Sequence, residues 1–179
     1  MPRLGALAFA SAIVLASIGT EWTLAQSQGN GSSLSIAFAD PAWTGDTIPD
    51  GQWCRKFGGH GDTPALKVSN LPASTKAIVV AFNDETYKPM DNGGHGAVRF
   101  QVPAGANSAT LPSVPGETDN LPKGASTEQP HKASDFSGTK GAYLPPCSGG
   151  KGNTYSATVK ALGEGDTVLA QSRIVLGKY

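Results

Sequence analysis

The 179-residue chain carries Gly 23 and Pro 13, about a fifth of its length against a usual share of roughly 12%. Only 16% of residues are charged, and Lys+Arg 14 against Asp+Glu 14 leaves a net charge of +0. These values exclude a coiled coil, a collagen-like fibre, a nucleic-acid binder with a basic excess and a charge-driven disordered chain, and leave one turn-rich globular domain.

Met1-Pro2-Arg3 supplies a short positive start, and Leu4 to Ile18 is nearly all apolar or small. Thr23-Leu24-Ala25 then offers the small residues that a signal peptidase reads. The apolar run of about 15 residues falls short of the ~20 that a spanning helix needs. The pattern predicts a signal peptide over 1–25, cleaved near Ala25, and a secreted or periplasmic protein. No transmembrane segment is expected after cleavage. Residues 26–33 (QSQGNGSS) read as a flexible leader, and 34–179 as a single domain.

Within that domain Gly and Pro cut the chain into short pieces with no room for long helices. Leu34 to Phe38 alternates apolar and polar residues. Thr75 to Phe82 is a continuous β-branched run, the mark of a strand buried on both faces. Ala97 to Val102 alternates again, with Val98, Phe100 and Val102 on one side. The stretch Pro112 to Lys140, with four prolines and few apolar residues, reads as a long surface loop, with room for one helical turn between Gly124 and Asp135. His131, amid Pro and Lys in that loop, reads as solvated. Tyr155, Ala157, Val159 and Ala161 share one face of the next strand, and Thr167 to Leu176 forms the last. The set predicts an all-β fold, an antiparallel sandwich with few short helical turns.

Cys54 and Cys147 are the only cysteines and both lie in the exported part. Neither sits in a CxxC or Cys/His spacing, so a disulfide is expected. It closes a loop of about 90 residues, worth on the order of 4–5 kcal/mol in the chain-entropy model.

Three segments gather polar groups at strand ends: Asn83-Asp84-Glu85, Asp91 to Gly96 around His95, and the Gly-rich Pro145 to Tyr155. Groups so placed can converge on one pocket while sheets hold them rigid. Glycines on both sides of His95 leave backbone room for a ligand, and Gly149, Gly150 and Gly152 can turn N–H groups inward toward an anion. The plainer reading is that Asp84 caps a turn and Gly93-Gly94 forms a hairpin. Catalytic motifs are absent: Gly follows Lys151 where a phosphate loop needs Ser or Thr, and there is no HExxH or G-x-S-x-G. The three histidines lack zinc-site spacing. No metal, cofactor or nucleic acid is implied, and nothing points to an enzyme.

Taken in order, Gly61-Asp-Thr-Pro64-Ala-Leu66, the apolar strand to Asp84, Gly94-His95, and Pro145-Pro146 through Tyr155 resemble the phosphatidylethanolamine-binding protein family, also called Raf kinase inhibitor-like. The resemblance covers about residues 34 to 179. It implies a Greek-key sandwich of two antiparallel sheets with a small anion-binding cavity at one end. Members bind phospholipid head groups or other small anions, and some regulate kinases or inhibit proteases. Carried onto this chain, it implies a pocket lined by Asp84, His95, Asn153 and Tyr155 and shaped by Gly94 and Pro146. His95 and Tyr155 would donate to a ligand, and Asp84 would orient His95 or accept a ligand hydroxyl. The chain departs from the family pattern in three places. Asn83-Asp84-Glu85 stands for an Asp-Pro-Asp motif, Gly96 for an aromatic residue, and Asn153 for a histidine. The loss of that imidazole favours a neutral or weakly acidic ligand. The leading expectation is non-enzymatic binding of a small anionic or polar ligand. A protease-inhibitor or protein-interaction module acting through the 112–140 loop is the alternative, and a hydrolase using Asp84 and His95 a third.

Overall fold

The computed structural model describes Met1, residues 33–133 and residues 140–179. Residues 2–25 of the expected signal peptide and all but the last residue of the leader lie outside the described residues.

Among the described residues eight strands build the fold: β1 Ser35–Phe38, β2 Leu66–Ser69, β3 Ala77–Asp84, β4 Ala97–Gln101, β5 Ser108–Leu111, β6 Ala125–Gln129, β7 Thr154–Leu162 and β8 Val168–Lys178. Among the described residues, helix is confined to three-residue 3-10 turns at Arg55–Phe57, Lys88–Met90 and Glu164–Asp166. None is long and apolar enough to cross a membrane. All strand pairing is antiparallel, in a three-stranded sheet of order β1-β2-β5 and a five-stranded sheet of order β6-β4-β3-β7-β8. In the larger sheet β7 returns by a long connection to lie beside β3, the closing step of a Greek key. All eight strands belong to one compact unit, Gly31–Tyr179.

The main core fills the space between the sheets. Leu66, Val68 and Leu111 from the small sheet meet Ile78, Val80, Phe82, Val98, Phe100, Ala157 and Val159 from the large one. β3 is buried on its other face too: Ala77 and Val79 pack with Ala97 and Leu162 in a separate cluster. A strand apolar on both faces matches its β-branched run. Its start lies two residues later than expected, because Thr75 is held in a turn: its N–H and hydroxyl both donate to the Pro72 carbonyl, at 2.9 and 2.6 Å.

Short elements escaped the sequence reading. β2 and β5 have four residues each and lack the β-branched run that marks β3. The expected helical turn after Gly124 is instead the strand β6. Its five residues, Ala-Ser-Thr-Glu-Gln, pair as an edge with β4, and Arg99 of β4 donates to Glu128 at 2.6 Å. The 112–140 stretch is therefore tied to the sheet in its middle. The Cys54–Cys147 disulfide is formed, with Cα atoms 5.3 Å apart.

Candidate functional site

β3 and β7 pair to their ends, which sets Asp84 directly opposite Tyr155. Beyond Asp84 the chain turns, and the carboxylate holds the turn: its Oδ1 accepts from the backbone N–H groups of Thr86 and Tyr87, both at 2.9 Å. The Asn153 side-chain amide donates to its Oδ2 at 2.6 Å. Asp84 is only 3% exposed, so three donors replace the water it has lost. The turn-capping role and the convergence with Asn153 thus coexist in one residue.

Gly93, Gly94 and Gly96 bring the chain back into β4. Gly96 has φ +97°, and a Cβ there would lie 2.1 Å from the Ala142 carbonyl oxygen. The carbonyl occupies the room an aromatic side chain would need, which accounts for the glycine. Gly94 shapes the turn from outside the pocket: a Cβ on it would meet the Met90 backbone at 2.3 Å, and its carbonyl accepts from the Lys132 N–H.

Between these glycines stands His95, 4% exposed. Its Nδ1 lies 2.8 Å from the Leu144 carbonyl. A carbonyl only accepts, so Nδ1 carries the proton and Nε2 the lone pair. Its ring meets Tyr155 edge to face, centroids 5.3 Å apart. Burial pushes the His95 pKa down to about 4 and overrides the Leu144 hydrogen bond and the Asp84 charge, which pull it up. At neutral pH the site therefore offers a neutral imidazole. Asp84 does not orient it; the Leu144 carbonyl does.

The opposite wall comes from Leu144 to Cys147. The Tyr155 hydroxyl accepts from the Cys147 N–H at 3.2 Å, and burial pushes the phenol up to about 12. Cys54 N–H donates to the Pro146 carbonyl at 3.0 Å, beside the disulfide. The Gly-rich loop is anchored to the chain end: Ser148 hydroxyl and Gly152 N–H both donate to the Tyr179 carbonyl, while Tyr179 stacks on Trp53 at 4.9 Å.

The structure thus gathers Asp84, His95, Pro146, Asn153 and Tyr155 at one end of the sandwich and leaves Gly94 as a support. The space among Phe82, His95, Tyr143, Leu144, Pro146 and Tyr155 is tightly filled, with no room for a water-sized sphere, and Asp84 and Asn153 lie outside its lining. Wider hollows lie elsewhere. A groove of about 340 Å³ runs over the outer face of the large sheet, floored by Val79, Ala81 and Ala97. The Arg99 guanidinium beside it is already paired with Glu128 and Asp166.

One residue of the region was misread from sequence. His131 is 5% exposed rather than solvated, and neither ring nitrogen has a hydrogen-bond partner. The Lys140 backbone lies beside the ring without hydrogen-bond geometry. Burial lowers the His131 pKa against the pull of Glu117 and Asp119. Surrounding Pro and Lys gave no hint of this, because its cover comes from packing and not from its neighbours in sequence. No cluster of three or more metal-ligating side chains occurs among the described residues.

No protein-family model matches the chain, and no curated protein does. Among solved structures it is similar to a phosphatidylethanolamine-binding protein homolog from Chlamydia trachomatis. That likeness has a TM-score of 0.48 and 17% identity, over 82% of this chain and 97% of the other.

Proposed function

We propose that this protein binds a small polar ligand, without catalysis, at the strand-end site of Asp84, His95, Asn153 and Tyr155. The observation that carries the reading is the convergence of four buried or half-buried polar side chains from three separate segments, braced by the Cys54–Cys147 disulfide. Rigid supports around a few polar groups are the usual anatomy of a small-ligand site. The His95 Nε2 lone pair accepts from the ligand, the Tyr155 hydroxyl donates, and Asp84 with Asn153 supplies further acceptors and donors. Because His95 is neutral and Asp84 stands close by, a compact dianion is disfavoured. A ligand with its own donor, such as an ammonium or hydroxyl, suits the site better.

Isothermal titration at pH 7.5 with phosphoethanolamine, phosphate and acetate tests the reading. Phosphoethanolamine is expected to bind tightest, and His95→Ala to weaken it at least fivefold, about one lost hydrogen bond. Equal affinity in the two proteins removes His95 from the site, and no heat with any of the three ligands overturns the proposal.

A further inference from the structure

β3 is apolar on both faces, yet the small sheet covers only one of them. Ile78, Val80 and Phe82 point into the main core, while Ala77, Val79 and Ala81 alternate with them onto the outer face. On that face Ala81 pairs with Ala97 on one side and Thr158 on the other, and Val79 pairs with Arg99 and Lys160. Two alanines beside a row of long side chains leave a trough of about 340 Å³, running from Asn83 and Gly93 to Leu162 and Val168. That volume falls within the range of small-ligand pockets, roughly 300–1,000 Å³.

Both ends of the trough are fixed. At its head one chain of hydrogen bonds links β6 to β7. Gln129 Nε2 donates to the Gly93 carbonyl at 2.9 Å, the Gly93 N–H to Asn83 Oδ1 at 2.7 Å, and the Asn83 amide to the Thr158 hydroxyl at 3.3 Å. At its foot Arg99 of β4 reaches across β3 to Asp166, in the turn between β7 and β8, at 2.9 Å. The same guanidinium holds Glu128 of β6. Walls held in this way need little ordering when a ligand enters.

The two sides differ in charge. Glu128 and Asp166, the carboxylates that line the trough, are both engaged by Arg99. The β7 wall presents donors: the half-buried Lys160 ammonium and the Thr158 hydroxyl, whose oxygen already accepts from Asn83. Lys160 has no ion-pair partner among the described residues.

We propose that this trough is a second binding site, separate from the strand-end site, for a small monocarboxylate with an apolar body. The carboxylate lies against the Lys160 ammonium and the Thr158 hydroxyl, and the body lies along Val79, Ala81 and Ala97. A wall of donors complements an anion and repels a cation.

Methyl NMR of 13C-labelled protein at pH 7.5, with hexanoate, hexanol and hexylammonium as probes, tests this. Hexanoate is expected to shift the Ala81 and Ala97 methyls saturably while the Tyr155 ring stays put. Hexanol is expected to bind about fivefold more weakly, the loss of one ionic contact, and hexylammonium more weakly still. In Lys160→Gln, hexanoate falls to the level of hexanol. Ala81→Leu, which fills the floor, is expected to abolish the Ala97 shift, and Lys160→Gln decides the matter if that variant does not fold. Four results overturn the proposal: no saturable shift at Ala81 and Ala97, equal binding of hexanoate and hexylammonium, a carboxylate preference that survives Lys160→Gln, or a shift confined to Tyr155. None of them bears on the phosphoethanolamine titration, whose own failure leaves the trough standing.

Discussion

At Gly96, φ +97° and the Ala142 carbonyl together leave no place for a side chain. Gly96→Ala is therefore expected to cost roughly 2 kcal/mol or more, from backbone strain alone, as a shift in urea midpoint with unchanged m-value. His95 gives the second residue-scale expectation. Its folded pKa of about 4 lies below the ordinary 6.5, so between those values the unfolded chain holds more protons. Stability is complete above pH 6.5 and falls as pH drops toward 4. The loss is on the order of 3 kcal/mol from this residue, and His131 adds to it in the same direction. Urea unfolding at pH 7.5 and 4.0 checks the sign, and greater stability at the lower pH would contradict it. Much of this residue-scale detail was legible: Asp84, His95, Asn153 and Tyr155 stood out as polar groups at strand ends. Their charge states were not. Neutrality of His95 follows from cover by Leu144 and Tyr143, some fifty positions away in sequence, and no local pattern announces it.

Among the elements, the long apolar strands could be read directly, because β3 and β7 are long enough to show their periodicity. β6 could not, since Ala-Ser-Thr-Glu-Gln has no apolar alternation and is a strand only because β4 offers it an edge. The Arg99–Glu128 pair that decorates this edge is partly solvated, with side-chain exposures of 18% and 35%. Glu128→Gln should accordingly cost less than about 1 kcal/mol, and less still at high salt. The disulfide is another matter. It spans 93 positions and ties the Trp53 segment to the wall of the site. The double replacement Cys54→Ser with Cys147→Ser is expected to lower stability on the order of 4 kcal/mol in the chain-entropy model, read by denaturant unfolding. An unchanged midpoint would show that the bond restrains little of the unfolded chain.

On the scale of the whole molecule, the sandwich followed from the short strand-like runs between Gly and Pro, but its strand order did not. The pairing of β3 with β7 joins residues more than seventy positions apart, and that non-local step is what sets Asp84 opposite Tyr155. Sequence order suggested which groups belong to one end, while only the paired strands show that His95, Pro146 and Tyr155 line one space with no room for water. Small-ligand binding at that end is the central claim, and the His95 side chain reports on it directly. In uniformly 15N-labelled protein at pH 7.5, titration with phosphoethanolamine is expected to move the His95 Nε2 resonance saturably while Nδ1 keeps its proton. A His95 resonance that stays put as the ligand is added, in protein that remains folded, would contradict it.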